Sequence, residues 1–188
     1  MKNISVLLFL LITLALNAQN NKTSGLNARQ FHKYWKVESE SPDYKVTFLG
    51  DTVEILSPKG LTLWRKEKMS GKVTIEYDAC VVVEVEGDCL SDLNCFWMAS
   101  DPQYPDNIWK REKWRSGIFL NCYSLQLYYM GYGGNHNSTT RFRRYDGNEA
   151  AITNAKARPA ILKEYTDADH LLEANKWYHI KITNENNR

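Results

Sequence analysis

KVTIEYDACVVVEV, residues 72–85, alternates clearly enough to set the class of the whole chain. Val73, Ile75, Tyr77, Ala79, Val81 and Val83 fall on one parity, and Glu76 and Asp78 on the other. A period of two is that of a strand with one face buried and one face wet. Outward from it, similar segments recur between turn signals. Toward the N-terminus lie Tyr44–Leu49, the turn pair Gly50-Asp51, Thr52–Leu56, the turn Ser57-Pro58-Lys59-Gly60 and Leu61–Trp64. Toward the C-terminus lie Asn94–Ala99, Ser116–Asn121, Ser124–Gly131, Thr139–Tyr145 and Lys176–Thr183. Asp167–Ala174 alone reads as a short helix, with a loop nearly as well supported. Many short strands separated by turns predict an all-β fold, an antiparallel jelly-roll β-sandwich. The strand Trp177–Ile182 is followed by a turn at 184–187 and no return strand. The reading therefore expects a sheet truncated at the C-terminus with a long open edge.

The chain has 188 residues, about one domain. Residues 1–18 read as a signal peptide: Lys2 is the positive start, Val6–Leu16 the apolar run and Leu16-Asn17-Ala18 the cleavage site. The run is too short to cross a bilayer, which takes about 20 apolar residues. Residues 19–27 are polar and read as a flexible mature terminus, leaving residues 28–188 as a single sandwich domain. Removal of Lys2 with the leader lowers the net charge from +2 to +1. A nearly neutral protein gives no general attraction to nucleic acid or to an anionic membrane. The expected location is outside the cytoplasm, secreted or periplasmic.

Export permits disulfides among Cys80, Cys89, Cys95 and Cys122, and four cysteines allow three pairings. Cys89 and Cys95 flank a short loop that a bridge could close. Cys80 and Cys122 sit in apolar segments and read equally well as small buried hydrophobes. Zinc-type Cys and His spacings are absent, so no metal or other cofactor is expected. Asp101, Tyr104 and Asp106 mark a loop able to rim a groove or to hold a structural calcium ion. Trp109 and Trp114, in the basic stretch that follows, either flank the same groove or belong to a solvated loop.

The chemistry concentrates in YYMGYGGNHNSTTRFRRY, Tyr128–Tyr145. Four tyrosines, three glycines, two asparagines, three arginines and a histidine share these eighteen residues. Aromatic rings cover the C–H face of a sugar, while amides and guanidinium groups read hydroxyls or a carboxylate. Alternation places Tyr128, Met130 and Tyr132 on one face of a strand and Tyr129 and Gly131 on the other. Thr139, Arg141, Arg143 and Tyr145 share a face of the next strand, after a loop bearing Asn135, His136 and Asn137. His136, Tyr132, Arg141 and Arg143 are the candidate catalytic set. Elimination from a uronic acid needs a neutraliser for the carboxylate, a base and an acid, and these side chains supply all three. Tyr128, Asn135, Asn137, Asp92, Asn94 and Trp97 are the candidate substrate-binding residues. The plainer alternative makes the tyrosines core and pairs the arginines with acids on a neighbouring strand. Hydrolysis instead needs two carboxylates, about 5 Å apart for retention or roughly 6.5–9.5 Å for inversion. Glu76 and Asp78 offer such a pair, but alternation makes them an ordinary solvated face.

The order of elements resembles the concanavalin A-like group of lectin and glucanase domains. The resemblance rests on Leu63–Lys66, Val73–Val83, Arg115–Phe119 read as a strand, Leu125–Met130 and Lys176–Ile182. More narrowly the chain is similar to a secreted bacterial family of unassigned function within that group. That likeness spans residues 60–183 and rests on DLNCFWMA from Asp92, RSGIF from Arg115 and the segment from Tyr128 to Gly147. It implies a concanavalin-like sandwich, a polysaccharide or oligosaccharide partner and a place in polysaccharide degradation. It assigns no catalytic residues. The closing strands usual in that family, with an Asp-Gly turn and a Gly-Phe-Arg segment, are missing here. The expected function is a secreted carbohydrate-active protein that binds and cleaves a polysaccharide, acidic in the first instance, as a lyase or glycoside hydrolase. A non-catalytic glycan-binding module and a structural sandwich of a cell-surface assembly are the alternatives.

Overall fold

The computed structural model describes residues 6–11 and 28–185, the first stretch as backbone. The cleavage site at Leu16–Ala18, the terminus 19–27 and the end of the turn at 186–187 lie outside the described residues. Among the described residues eleven strands run in chain order: β1 Val6–Leu11, β2 Trp35–Ser39, β3 Lys45–Leu49, β4 Thr52–Ser57, β5 Leu61–Arg65, β6 Val73–Val82, β7 Leu93–Ser100, β8 Gln126–Gly133, β9 Thr139–Asp146, β10 Ile161–Tyr165 and β11 Trp177–Asn184. They form a five-stranded sheet in the order β11-β6-β1-β4-β3, a four-stranded sheet β10-β9-β8-β7 and a ribbon β2-β5. Every pairing is antiparallel. The fold is all-β and sandwich-like, as the alternation predicts.

The described side chains of β6 and β4 present apolar residues to one side of the five-stranded sheet. Register across β1 aligns Val81 with Ile55 and Ala79 with Val53, so β6 and β4 turn the same way. The β6 half, with Tyr178 and Ile180 of β11, packs against Leu93 and Tyr132 of the four-stranded sheet and against Leu172. The β4 half packs against Phe31, Trp35, Val37, Leu61 and Leu63. The four-stranded sheet and the ribbon thus make the second layer of the sandwich. A third, helical layer lies on the far side of that layer. Cys122, Tyr123 and Ala151 there cover Leu127, Tyr129 and Tyr145, together with Trp64 of the ribbon.

Several expectations are corrected. Ser116–Asn121 is not a strand. Helix α2, Glu112–Arg115, ends at Ser116 in the left-handed region, and a 3-10 segment follows at Phe119–Ser124. The reason is the Arg-Ser-Gly motif. Arg115, fully buried, donates from Nη2 to Glu38 Oε1 at 2.7 Å and from Nη1 to the Ile108 carbonyl at 2.8 Å. Ser116 Oγ donates to the Ser39 carbonyl, and Gly117, at φ +71°, lies so close to β2 that a Cβ would meet the Glu38 carbonyl at 2.6 Å. These contacts dock the turn onto β2 and leave no room for a side chain at position 117. Asp167–Ala174 contains only a 3-10 turn at Ala168–His170. Helix α1, Ala28–Tyr34, and strands β2 and β10 were not expected; Phe31 is the one buried residue of α1, too little for a periodic signal. The apolar run read as a leader supplies β1, in the middle of the larger sheet. β11 lies at an edge of its sheet.

Among the described residues all four cysteines are free, so Cys89 and Cys95 do not close their loop. Burial pushes the Cys95 thiol up to about 11 and that of Cys122 up to about 12, which keeps both protonated and inert. Asp101, at the start of its loop, is wholly buried and grips Arg111, with Nε to Oδ2 and Nη2 to Oδ1 both at 2.8 Å. Among the described residues no group of three or more His, Cys, Asp or Glu side chains converges on a cation position.

Candidate functional site

The central hairpin of the four-stranded sheet decides which side chains meet. β8 pairs with β9 so that Tyr129 lies opposite Arg143 and Gly131 opposite Arg141. β7 pairs with β8 so that Phe96 lies opposite Tyr129 and Asn94 opposite Gly131. Directly opposed residues point to the same side of a sheet. Asn94, Phe96, Tyr129, Arg141 and Arg143 therefore form one patch, on the side turned away from the five-stranded sheet. Tyr128, Tyr132, Trp97 and Phe142 point to the other side.

That division separates the residues expected to act together. Arg141 and Arg143 are brought together, as alternation required. Tyr132 is not with them: its hydroxyl donates to the Leu171 carbonyl at 3.2 Å and its ring meets Tyr178 edge to face. Burial, with the neighbouring Tyr178, raises the Tyr132 phenol to about 12. Trp97 and Tyr128 stack with Phe142 in a nearly parallel trio, with centroids 5.7–5.9 Å apart, again on the side away from the arginines. The tyrosine that does face them is Tyr129, which sequence reading passed over. Parity along β8 puts it with Gly131; matching that parity to the arginines needs the length of the turn between β8 and β9, which sequence alone leaves open.

Tyr129 is 6% exposed, and its hydroxyl donates to Asn94 Oδ1 at 3.1 Å. Its ring leans along the strand over position 131. A Cβ there would meet the phenol oxygen at 2.0 Å, so glycine is what admits this rotamer. Burial is the main reason the phenol is held above its ordinary range; Asp92 and Tyr123 add to it, while Arg143 and Arg141 oppose them. The two arginines are held differently. Arg141 Nε donates to Glu164 Oε1 of β10 at 2.5 Å, the pairing with a neighbouring strand that the plainer reading anticipates. Arg143 has no acidic partner among the described residues; its Nη1 donates to the Pro159 carbonyl at 2.8 Å. Its guanidinium thus keeps most of its five donors for a ligand.

The turn between β8 and β9 caps one end of the patch. Asn135, His136 and Asn137 all have φ near +55°, a run of three left-handed non-glycine residues. Such a run costs on the order of 1–2 kcal/mol per residue and persists only where its surroundings hold it. Part of the hold is visible. Asn137 clamps the backbone of Leu172 by donating to its carbonyl and accepting from its N–H, both at 2.8 Å. That use makes Asn137 structural. Asn135 donates to Ser138 Oγ within the turn, and His136 is exposed. Asp92, itself at φ +64°, sits beside the turn: its N–H donates to the Gly133 carbonyl and its Oδ2 accepts from Ser91 Oγ at 2.9 Å. Asn94 Nδ2 reaches Asp92 Oδ1 at 3.4 Å and joins this rim to the patch. At the other side Phe96 touches Phe119, which is 37% exposed.

Glu76 and Asp78 belong elsewhere. They lie on the outer side of the five-stranded sheet, where His179 Nδ1 meets Asp78 at 2.7 Å and Nε2 meets Glu76 at 3.1 Å. Lys181 adds a 3.0 Å contact to Glu76. This is an ion-paired solvent face. A shallow depression of about 430 Å³ lined by Lys36, Glu38, Tyr44 and Glu112 lies near the buried Arg115 pair and away from the patch.

A sandwich-like all-β domain with a Tyr-Asn-Arg patch under a strained turn is the class that fold and site define. The chain belongs to the DUF6250 family, a domain of unknown function whose match covers residues 55–188. That span takes in all the patch residues and the stretch 60–183 on which the sequence resemblance rests. No curated protein and no solved structure matches the chain.

Proposed function

We propose that this protein is an exported carbohydrate-active domain that binds an acidic polysaccharide across the Asn94–Tyr129–Arg141–Arg143 patch. The observation that carries the reading is Arg143, a half-buried guanidinium without a carboxylate partner among the described residues, beside Tyr129 and Arg141. A guanidinium so placed is matched to a planar carboxylate, such as that of a uronic acid. Phe96 and Phe119 supply apolar surface for a sugar ring, and Asn94 an amide for its hydroxyls. The resemblance to concanavalin-like domains of polysaccharide degradation supports the same ligand class. Elimination is the reaction these residues suit. Arg141 and Arg143 neutralise the carboxylate, the exposed His136 takes the C5 proton, and the C4–O bond breaks with its electron pair leaving on the glycosidic oxygen, which water protonates.

A second reading, a glycan-binding module without catalysis, is favoured by the burial of Tyr129. Its hydroxyl is already committed to Asn94, and its proton is held tightly. One experiment separates the two. Purified protein is offered a panel of acidic and neutral polysaccharides, and reducing ends are followed beside the ultraviolet absorbance of an unsaturated uronate. Absorbance supports elimination, reducing ends alone support hydrolysis, and retention without either supports the module. Retention of neutral but not acidic glycans would refute the arginine-centred site. No retention of any glycan would leave the structural-sandwich alternative in its place.

A further inference from the structure

The arginine patch extends past Arg143. Arg143 Nη1 donates to the Pro159 carbonyl at 2.8 Å, and register sets Ile161 of β10 directly opposite it. Opposed residues share a side of the sheet, so Ile161, 42% exposed, borders the patch. The segment from Pro159 to Ile161 therefore runs along the patch edge, and Arg158 stands just before it. The backbone there is held in place. Asn154 Oδ1 accepts from the Lys156 N–H at 3.0 Å, the Arg158 N–H donates to the Ala155 carbonyl, and Ala157 packs against the core. The Arg158 guanidinium lies over the Tyr123 ring, 5.8 Å from its centroid, with no acidic partner among the described residues. Tyr123 meets Phe119 edge to face at 6.1 Å, and Phe119 meets Tyr129 at 5.6 Å. One aromatic cluster thus carries Arg141 and Arg143 beside Tyr129 and Arg158 over Tyr123. Its charges do not balance. Glu164 answers Arg141, and Glu149 is taken by Arg111. Asp92 lies at the rim, bonded to Ser91. Among the described residues no carboxylate answers Arg143 or Arg158. A guanidinium stacked on an aromatic face keeps its planar fork of donors for a carboxylate.

We propose that Arg158 is a second acid-binding subsite on this face, so that the ligand carries carboxylates on neighbouring sugar residues, one held by Arg143 and the next by Arg158. Phe119, exposed between Tyr123 and Tyr129, gives apolar surface to the sugar rings that join them. The subsite rests on the glycan reading of the patch and narrows it: a run of uronic acids is selected over a glycan with isolated acid groups.

The test is calorimetric titration of the full chain at one ionic strength with two trisaccharide probes. One probe is three linked uronic acids; the other has a single uronic acid between neutral sugars. Wild type is expected to bind the first about tenfold more tightly, the effect of an added hydrogen bond between charged groups at an exposed site. Arg158→Ala should remove that preference and leave affinity for the single-acid probe unchanged, which also shows that the fold is intact. Arg144→Ala removes the same charge from the other side of the sheet, where Arg144 lies opposite and over Tyr128, and should change neither affinity. A second subsite is ruled out, with the glycan reading left standing, by equal wild-type affinity for the two probes or by an Arg158→Ala variant that keeps the preference. An equal loss for both probes, or the same loss from Arg144→Ala, rules it out as well. A wild type that binds neither probe refutes the acidic-glycan reading itself, and the subsite falls with it.

Discussion

Two pairs of arginines occupy this molecule, and in the sequence they look alike. Arg111 and Arg115 stand in a run of basic and aromatic residues; so do Arg141 and Arg143. In the structure they differ in one respect that sets their roles. Arg115 is fully buried and bonded to Glu38, and Arg111 holds the buried carboxylate of Asp101 and reaches Glu149. Burial even holds the Glu38 carboxyl above its usual range, against the opposing pull of Arg115. Arg141 is about one-third exposed, and Arg143 has only a carbonyl partner among the described residues. A guanidinium whose donors are spent on buried protein groups is structural. One whose donors face solvent beside aromatic rings can recognise a ligand.

The comparison is open to attack by mutation. Arg115→Ala leaves Glu38 buried and unpaired and is expected to cost about 3–5 kcal/mol, read as a lowered urea midpoint. A loss below about 1 kcal/mol would show that this pair is no more structural than a surface one. Arg143→Ala should do the reverse, changing stability by about 1 kcal/mol or less while weakening binding of an acidic glycan by about 10–100-fold, the worth of a hydrogen bond to a charged group. Arg141→Ala should lose less, because Glu164 already occupies it. Equal affinity of wild type and both variants would move the site off this face. Gly131→Ala displaces the Tyr129 phenol and is expected to destabilise by about 1–3 kcal/mol and to weaken glycan binding with it. His136→Gly relieves a left-handed residue and should raise stability by about 1 kcal/mol or less.

The smallest effect is a pH dependence on the sheet without a patch. Asp78 first, then Glu76, raise the His179 imidazole above its ordinary value. A group whose folded pKa is raised stabilises fully below its unfolded pKa, about 6.5. That contribution is lost as pH rises through the folded value. Wild type should therefore lose a little stability above neutral pH relative to His179→Asn. Parallel pH profiles of the two proteins would show that the contact adds nothing in water.

Much of the fold could be read from residue order. β3 to β6, β8, β9 and β11 follow from alternation and turn residues, because a half-buried strand needs a period of two wherever it lies; β7 follows from its short apolar run. β2 and β10 were not legible that way: β2 follows helix α1 directly, with no turn between them, and β10 exposes four of its five residues. The Arg-Ser-Gly segment misled for a related reason. Its apolar neighbours fit a strand, and only contact with β2 makes it a turn.

By itself the sequence determined the all-β class, the segment that carries the polar and aromatic chemistry, and the pairing of Arg141 with Arg143 on one face. Each depends on neighbours along the chain, which order alone specifies. Only the tertiary structure decided that Tyr129 rather than Tyr132 faces those arginines, that Asn137 is bound to Leu172, and that Arg115 is buried. Each of these depends on strand register or on distant segments, as with Asn137 and Leu172 or Arg115 and Glu38. A shift of one residue in the β8–β9 register would reverse which tyrosine meets the arginines.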